Sequence, residues 1–329
     1  MRVLFIGGTG NISLDCTLEA QKSGIEVYHL NRGTNRSRVP DGVRTITADI
    51  RQPAEVEKAL GDLTFDTVVD WVVYEPAHIE TDIRLFSQRT AQYIFISSAS
   101  AYKKPVTHQV MNEGTVLHNP YWEYSRKKAA CEEFLVNSYR EHAFPMTIVR
   151  PSHTYGVGWF PTPFGGRDFT VPARMLAGKP VIVHGDGQSL WTLTHTRDFA
   201  VGFNGLLGNP AAVGEIFHIT SDEALSWDEI HRTIGRALGV VPKIVHIPSD
   251  FIAIHDPARG AEILGDKAYT VIFDNSKIRR FVPAFHPTVT FSLGMRWSAE
   301  WYAGHKSEVI VDPDSDRRIE KILDVWQKV

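Results

Sequence analysis

Seven short runs rich in apolar and β-branched residues constrain this chain more than any other feature; they fall at 3–5, 26–30, 44–47, 67–73, 93–96, 147–149 and 216–219. Between them lie stretches of helical period, at 18–23, 53–60, 79–91 and 125–142. Parallel strands need long crossover connections, and those crossovers are right-handed, so the alternation predicts an α/β fold with a doubly wound parallel sheet. Residues 1–155 are expected to form that doubly wound domain. Beyond Gly156 the texture becomes aromatic and rich in Pro and Gly ("GVGWFPTPFGG"), and the strict alternation stops. A smaller mixed α/β C-terminal substrate lobe is therefore expected from 156–196 and 221–329, with 197–220 returning to the first domain.

Composition removes several function classes. The 329 residues are 43% hydrophobic and 11% aromatic, enough for a substantial core. A formal net charge of -3 lacks the basic excess that neutralises phosphates, so no nucleic acid partner is expected. The two cysteines, Cys16 and Cys131, give neither a disulfide framework nor a zinc spacing, which fits a reducing, cytoplasmic setting. No apolar run approaches the ~20 residues of a membrane span, and no export signal precedes the first strand, so no membrane partner is expected. Fourteen histidines include no close pair at ligand spacing, and no metal is expected.

The first strand runs into "GGTGNIS", Gly7 to Ser13. Glycines between a strand and a helix let the backbone approach a pyrophosphate, whose charge meets the unpaired N–H groups of the helix N-terminus. Such turns also occur with no ligand. Here Ser13 stands where a third glycine would ordinarily permit close helix packing, and serine is small enough to be tolerated.

In "PYWEYSRKKAACEEFL", Tyr124 and Lys128 are four residues apart, so they project from one helix face. An ammonium beside a phenol favours its ionised form, and Tyr124 is expected to serve as a proton acceptor near the operating pH. Upstream, the strand in "YIFISSASAY" ends in hydroxyl residues at the carboxyl edge where open α/β sheets bind ligands. Ser98 is the hydrogen-bonding candidate there.

These landmarks, with "ADI" at 48–50, "VRPSHTYG" at 149–156 and "GDGQSLWTLTHTRDFA" at 185–200, resemble the extended short-chain dehydrogenase/reductase family of NAD-dependent epimerases and dehydratases. The resemblance spans nearly the whole chain and implies a Rossmann domain. It also implies that Tyr124 is the catalytic acid/base, that Lys128 binds the cofactor ribose and lowers the tyrosine pKa, and that Ser98 holds the reacting oxygen. Gly7, Thr9, Gly10, Asn11 and Ile12 would line the dinucleotide, Asp49 and Ile50 would flank adenine, and Pro151 would complete the cofactor wall. Hydride would pass between a carbinol carbon and nicotinamide, with the ketone either reduced again from its other face or released. The first outcome is an epimerase of a sugar or sugar derivative; the second is a net dehydrogenase or reductase of a small carbonyl or polyol. A homodimer is the expected assembly.

Departures from the family pattern narrow the chemistry. Many nucleotide-sugar epimerases carry an arginine for the diphosphate after "GDG", where this chain has Trp191. A substrate without a nucleotide handle is therefore expected, unless Arg197 or Arg259 supplies the charge. Dehydratases show an acidic pair after the catalytic hydroxyl residue, where Ala99 and Ser100 stand here. Asn31 and Arg32 replace the acid that NAD-specific members use for the ribose, and Arg32 with Arg36 suits a 2′-phosphate. The cofactor expectation is NAD(P), with NADP favoured. Ser98, Ser100, His153, Trp191 and His195 are the substrate candidates, and Trp159, Phe160 and Phe164 are expected either to wall the site or to pack the second lobe. The "LWTLTH" stretch also resembles chloroplast stem-loop RNA-binding relatives, which leaves a binding protein as the reading of another class.

Overall fold

The computed structural model describes residues 1–164 and 168–329, so the end of the aromatic stretch at 165–166 lies outside the described residues. One parallel sheet dominates it. Its strands are β1 (Arg2–Ile6), β2 (Glu26–Asn31), β3 (Arg44–Thr47), β4 (Thr67–Asp70), β5 (Tyr93–Ile96), β7 (Met146–Pro151) and β11 (Ile216–Ile219), in the order β11-β7-β5-β4-β1-β2-β3. Strand order reverses between β1 and β4, which opens a crevice at the carboxyl edge.

The central strands are apolar on both faces because helices cover both. Leu4, Ile6, Val68, Phe95 and Ile148 pack into one core, and Val3, Phe5, Val69, Ile94, Val149 and Phe217 into the other. The helices of this domain are α1 (Asn11–Lys22), α2 (Pro53–Leu60), α3 (Pro76–Phe86), α4 (Glu123–His142) and, after the second lobe has begun, α6 (Thr196–Asn204), which packs on α1. The four expected helices thus appear, α2 at its expected bounds and the other three with shifted ends. The fourth strand stops at Asp70 rather than running to 73, because residues 71–73 turn away and expose carbonyls to the crevice.

The second lobe is a separate hydrophobic unit built from short pieces. The strand pairs β6 (Val110–Met111) with β14 (Ile272–Phe273), and β9 (Pro180–His184) with β13 (Lys243–Ile247), accompany a three-stranded sheet of β8 (His153–Tyr155), β10 (Leu190–His195) and β12 (Ala224–Ser226). Helix α7 (Trp227–Leu238) packs on β12, and α5 (Thr170–Leu176) packs on β9 and α7. Phe160, Phe164, Phe169, Trp227 and Phe291 fill its core. No helix among the described residues is long and apolar enough to cross a membrane.

Candidate active site

The glycine turn is held by its own serine. Ser13 is buried in the first turn of α1, its Oγ donates to the Gly7 carbonyl at 3.0 Å, and it accepts the Gly10 N–H at 2.8 Å. The serine therefore takes over part of the turn's backbone bonding as well as fitting the space. Gly7 has φ +82, a backbone that favours glycine, and a Cβ there would come within 2.7 Å of Val72 Cγ1. A Cβ on Gly8 would strike the buried His29 ring at 2.4 Å, so the glycine there serves packing.

A cavity of about 480 Å³ extends from this turn along the ends of β2 and β3. Gly7, Thr9, Gly10, Asn31, Arg32, Asp49 and Ile50 all line it, and Arg36, Arg38 and Arg51 join them. Four arginines thus face one aspartate. The Asn31 Nδ2 is buried with no hydrogen-bond partner, a donor waiting for an acceptor. Phosphate and ribose oxygens would fit this donor set, so the residues present suit a dinucleotide. Asn11 and Ile12 lie on the adjoining stretch toward the sheet centre, where Asn11 also donates to the Thr154 carbonyl at 3.3 Å.

The catalytic candidates meet where two further cavities join. Tyr124 sits in the first turn of α4 and Lys128 one turn later, beside the ends of β4 and β5. The Lys128 Nζ donates to the carbonyls of Val73 at 2.6 Å and Ile96 at 2.7 Å, and lies 5.8 Å from the Tyr124 ring centroid. The turn after β4 and the end of β5 therefore seat the ammonium under the phenol. Ser98 is hydrogen-bonded to Tyr124, and its Oγ lies 2.9 Å from Ser100 Oγ, which accepts from Ser125 Oγ at 2.8 Å. Beneath them the buried Arg150–Glu132 pair, bonded at 2.9 and 3.1 Å through Nε, receives the neighbouring Ser97 hydroxyl and fixes α4 against the sheet.

Burial works against the expected ionisation of Tyr124. Burial pushes the Tyr124 phenol up to about 12, with the Ser98 hydrogen bond pulling the other way, while burial brings Lys128 down to about 8. Tyr124 is thus a neutral hydroxyl at neutral pH, ready to donate rather than accept a proton. The reason is desolvation: with its ammonium spent on two carbonyls, Lys128 does not outweigh the loss of water around the phenol.

On one side of this seam, Gly7, Gly10, Asn11, Ile12, Lys128 and Pro151 line the cofactor crevice. On the other, a cavity of about 370 Å³ is walled by Ser98, Ser100, Tyr124, His153, Trp159 and Trp191. The His153 and Trp159 rings meet at 5.2 Å between centroids, tilted by 48°. Trp191 is 5% exposed, leans on Trp227 at 5.5 Å, and has a buried Nε1 without a hydrogen-bond partner.

His195 is a correction. It is 0% exposed, its Nδ1 accepts the Arg197 N–H at the start of α6, and its ring meets Tyr155 and Trp297, so it caps a helix away from the substrate cavity. Phe160 and Phe164 belong to the second-lobe core, whereas Trp159 walls the site. Sequence reasoning missed Tyr74, Arg38, Arg51, Trp122, Glu262, Asp266 and Lys267. The last three come from a helix some 140 residues after Tyr124, and no local pattern ties them to the site.

Residues 3–220 match the NAD dependent epimerase/dehydratase family. The chain belongs to that family. It is accordingly an enzyme of the extended short-chain dehydrogenase/reductase type. The chain is 25% identical over 286 residues to 2'-dehydrokanamycin reductase of Streptomyces kanamyceticus, covering 87% of this chain and 80% of the relative. It is 27% identical to chloroplast stem-loop binding protein of 41 kDa b of Arabidopsis thaliana, over 76% of this chain and 67% of the other. The fold matches that of dTDP-glucose 4,6-dehydratase from Bacillus anthracis, solved in complex with NAD, with TM-score 0.74, 18% identity and coverage of 94% and 98%.

Proposed function

We propose that this family member is an NAD(P)-dependent oxidoreductase acting at a carbinol or ketone carbon of a sugar or sugar derivative, with a keto sugar on its reaction path. The observation that carries this reading is the Tyr124 hydroxyl standing at the seam between a dinucleotide-sized crevice and a cavity lined by hydroxyls and indole rings. When bound, a reduced nicotinamide would supply the hydride. Tyr124 then delivers its proton to the carbonyl oxygen, Ser98 hydrogen-bonds that oxygen, and Lys128 keeps a positive charge beneath the phenol. A neutral phenol favours ketone reduction in the resting enzyme, and the similarity to a protein named as a reductase supports the same direction.

Epimerisation would use the same groups, with the cofactor retained between the two half-reactions. Mass spectrometry of the protein as purified separates the two outcomes. A dinucleotide that stays bound and reoxidises without release supports the epimerase; stoichiometric consumption of added reduced cofactor supports the net reductase. A protein that neither holds a dinucleotide nor reduces keto sugars with either added reduced cofactor overturns the proposal.

Arg32 and Arg36 support NADP as the preferred dinucleotide. Each charge-assisted contact to a 2′-phosphate contributes about 1.5–3 kcal/mol. The double variant Arg32→Ala, Arg36→Ala is therefore expected to weaken NADPH binding by more than about tenfold and NADH binding far less. Equal losses in a fluorescence titration would remove the NADP assignment.

Lys128 sets an expected pH limb. Burial lowers its pKa to about 8, so the ammonium is present below that pH and lost above it, while Tyr124 stays protonated throughout. The kcat/KM for reduction is expected to be level below pH 8 and to decline above it. A profile that instead rises with pH, as ionisation of a catalytic phenol would produce, contradicts this assignment.

The substrate cavity supports a ligand without a nucleotide diphosphate. Among its described lining residues there is no arginine. Both candidates for that charge already have partners: Arg197 lies over Trp297 at 4.7 Å, and Arg259 bonds Glu262 of the cavity wall at 2.7 Å. UDP is accordingly expected to bind only weakly in calorimetry with the dinucleotide site filled, and a micromolar dissociation constant would sink the non-nucleotide reading.

A further inference from the structure

The substrate cavity has an acidic end that the catalytic set does not use. Glu262 closes the helix Pro257–Glu262, and Asp266 lies in the single π turn, Ile263–Lys267, that follows. Both line the same cavity as Tyr124 and Ser98. Their position is fixed from the catalytic side. The Asn119 side-chain amide donates both to the Ser100 carbonyl at 2.8 Å and to the Gly265 carbonyl at 2.5 Å, tying the hydroxyl turn to the π turn. Gly265 makes this approach possible, since a Cβ there would lie 2.7 Å from Trp122 Cβ. A π turn inserts an extra residue into a helix and re-aims the side chains around it, a device frequent at functional sites.

Resting on the function proposed above, we propose that the substrate is an amino sugar whose protonated amine is received by Asp266, with Glu262 as a second acceptor. The cavity wall offers a cation one loosely paired carboxylate. Glu262 is already paired with Arg259 at 2.7 Å, whereas Asp266 meets the Lys267 ammonium only at 3.7 Å, and that ammonium also stands 5.6 Å from the Trp122 ring centroid. Burial raises the Asp266 pKa, with Lys267 and Lys104 pulling the other way, so a further cation at the cavity would favour its charged form. Glu262 already accepts from Arg259 and contributes less. The other walls suit the rest of such a ligand. Trp122, Trp159 and Trp191 line the cavity with indole rings, which suit sugar C–H groups and an ammonium.

Calorimetric titration at pH 6.5, with NADP present, of the methyl glycosides of glucosamine, glucose and glucuronic acid tests this. The amine is expected to bind about tenfold or more tighter than the neutral sugar, on the scale of one charge-assisted hydrogen bond, and the acid weakest of the three. Asp266→Asn is expected to bring the amine-to-neutral ratio to about 2 or less while NADP affinity is retained, and Glu262→Gln to lower it partway. Equal binding of amine and neutral sugar, tightest binding of the acid, or a ratio untouched in both variants overturns the inference. Should Asp266→Asn fail to fold, the three-sugar comparison with the unaltered protein decides alone. If the neutral sugar binds as well as the amine, the carbohydrate reading stands and only the amine is lost; if none of the three binds, both readings fall.

Discussion

Tyr124→Phe is expected to lower turnover by about 10²-fold or more while the dinucleotide still binds, because general acid catalysis by a positioned side chain contributes on that scale. The substitution keeps the ring, which packs against Trp122 at 4.8 Å between centroids, and removes only the hydroxyl bonded to Ser98. Lys128 keeps its seat, since its hydrogen bonds go to the Val73 and Ile96 carbonyls and not to the phenol. The structural consequences should therefore be small and the chemical one large. Single-turnover reduction of a keto sugar with prebound cofactor reads the chemical step directly. A near wild-type rate there would remove Tyr124 as the proton donor, and with it the mechanism.

Gly10→Val is expected to abolish dinucleotide binding in a protein that remains folded. Gly10 has φ -75 and ψ 176, extended backbone that any residue adopts, so no conformational strain arises. A Cβ there would meet Ser13 Oγ at 3.1 Å, a contact a small rotation relieves, and the branched methyl groups would then fill the crevice where Gly7, Gly10 and Ile12 converge. The cost falls on the ligand, whose pyrophosphate needs the backbone at close range. Gly7→Val would be a poorer experiment, because φ +82 and the 2.7 Å approach to Val72 Cγ1 would damage the fold as well. Circular dichroism with a parallel cofactor titration checks both halves; undiminished affinity would refute the pyrophosphate assignment.

Much of the site was legible because its parts are local. The glycine turn follows a strand within a dozen residues, Tyr124 and Lys128 are one helical turn apart, and Ser98 ends a strand, so each is specified by short-range pattern and by the known edge of the sheet. His195 misled for the same reason: its segment reaches the site through Trp191, but the histidine lies at the far end of β10, where it caps α6. The tyrosine's protonation state was also beyond sequence, since spacing gives the nearness of an ammonium but not the loss of water around a phenol.

By itself the sequence determined the alternation of strand and helix, and hence the parallel sheet, its carboxyl-edge crevice and the Ser-Tyr-Lys candidates. These follow from side-chain period, turn chemistry and the handedness of crossovers, all local or nearly so. Only the tertiary structure decided what faces Tyr124 across the cavity. Glu262, Asp266 and Lys267 arrive there because Asn119 pins their π turn to Ser100, a contact between residues 146 positions apart at Gly265. Such a pairing leaves no periodic trace in the chain, because it depends on how the second lobe packs against the first and on the desolvation that packing imposes.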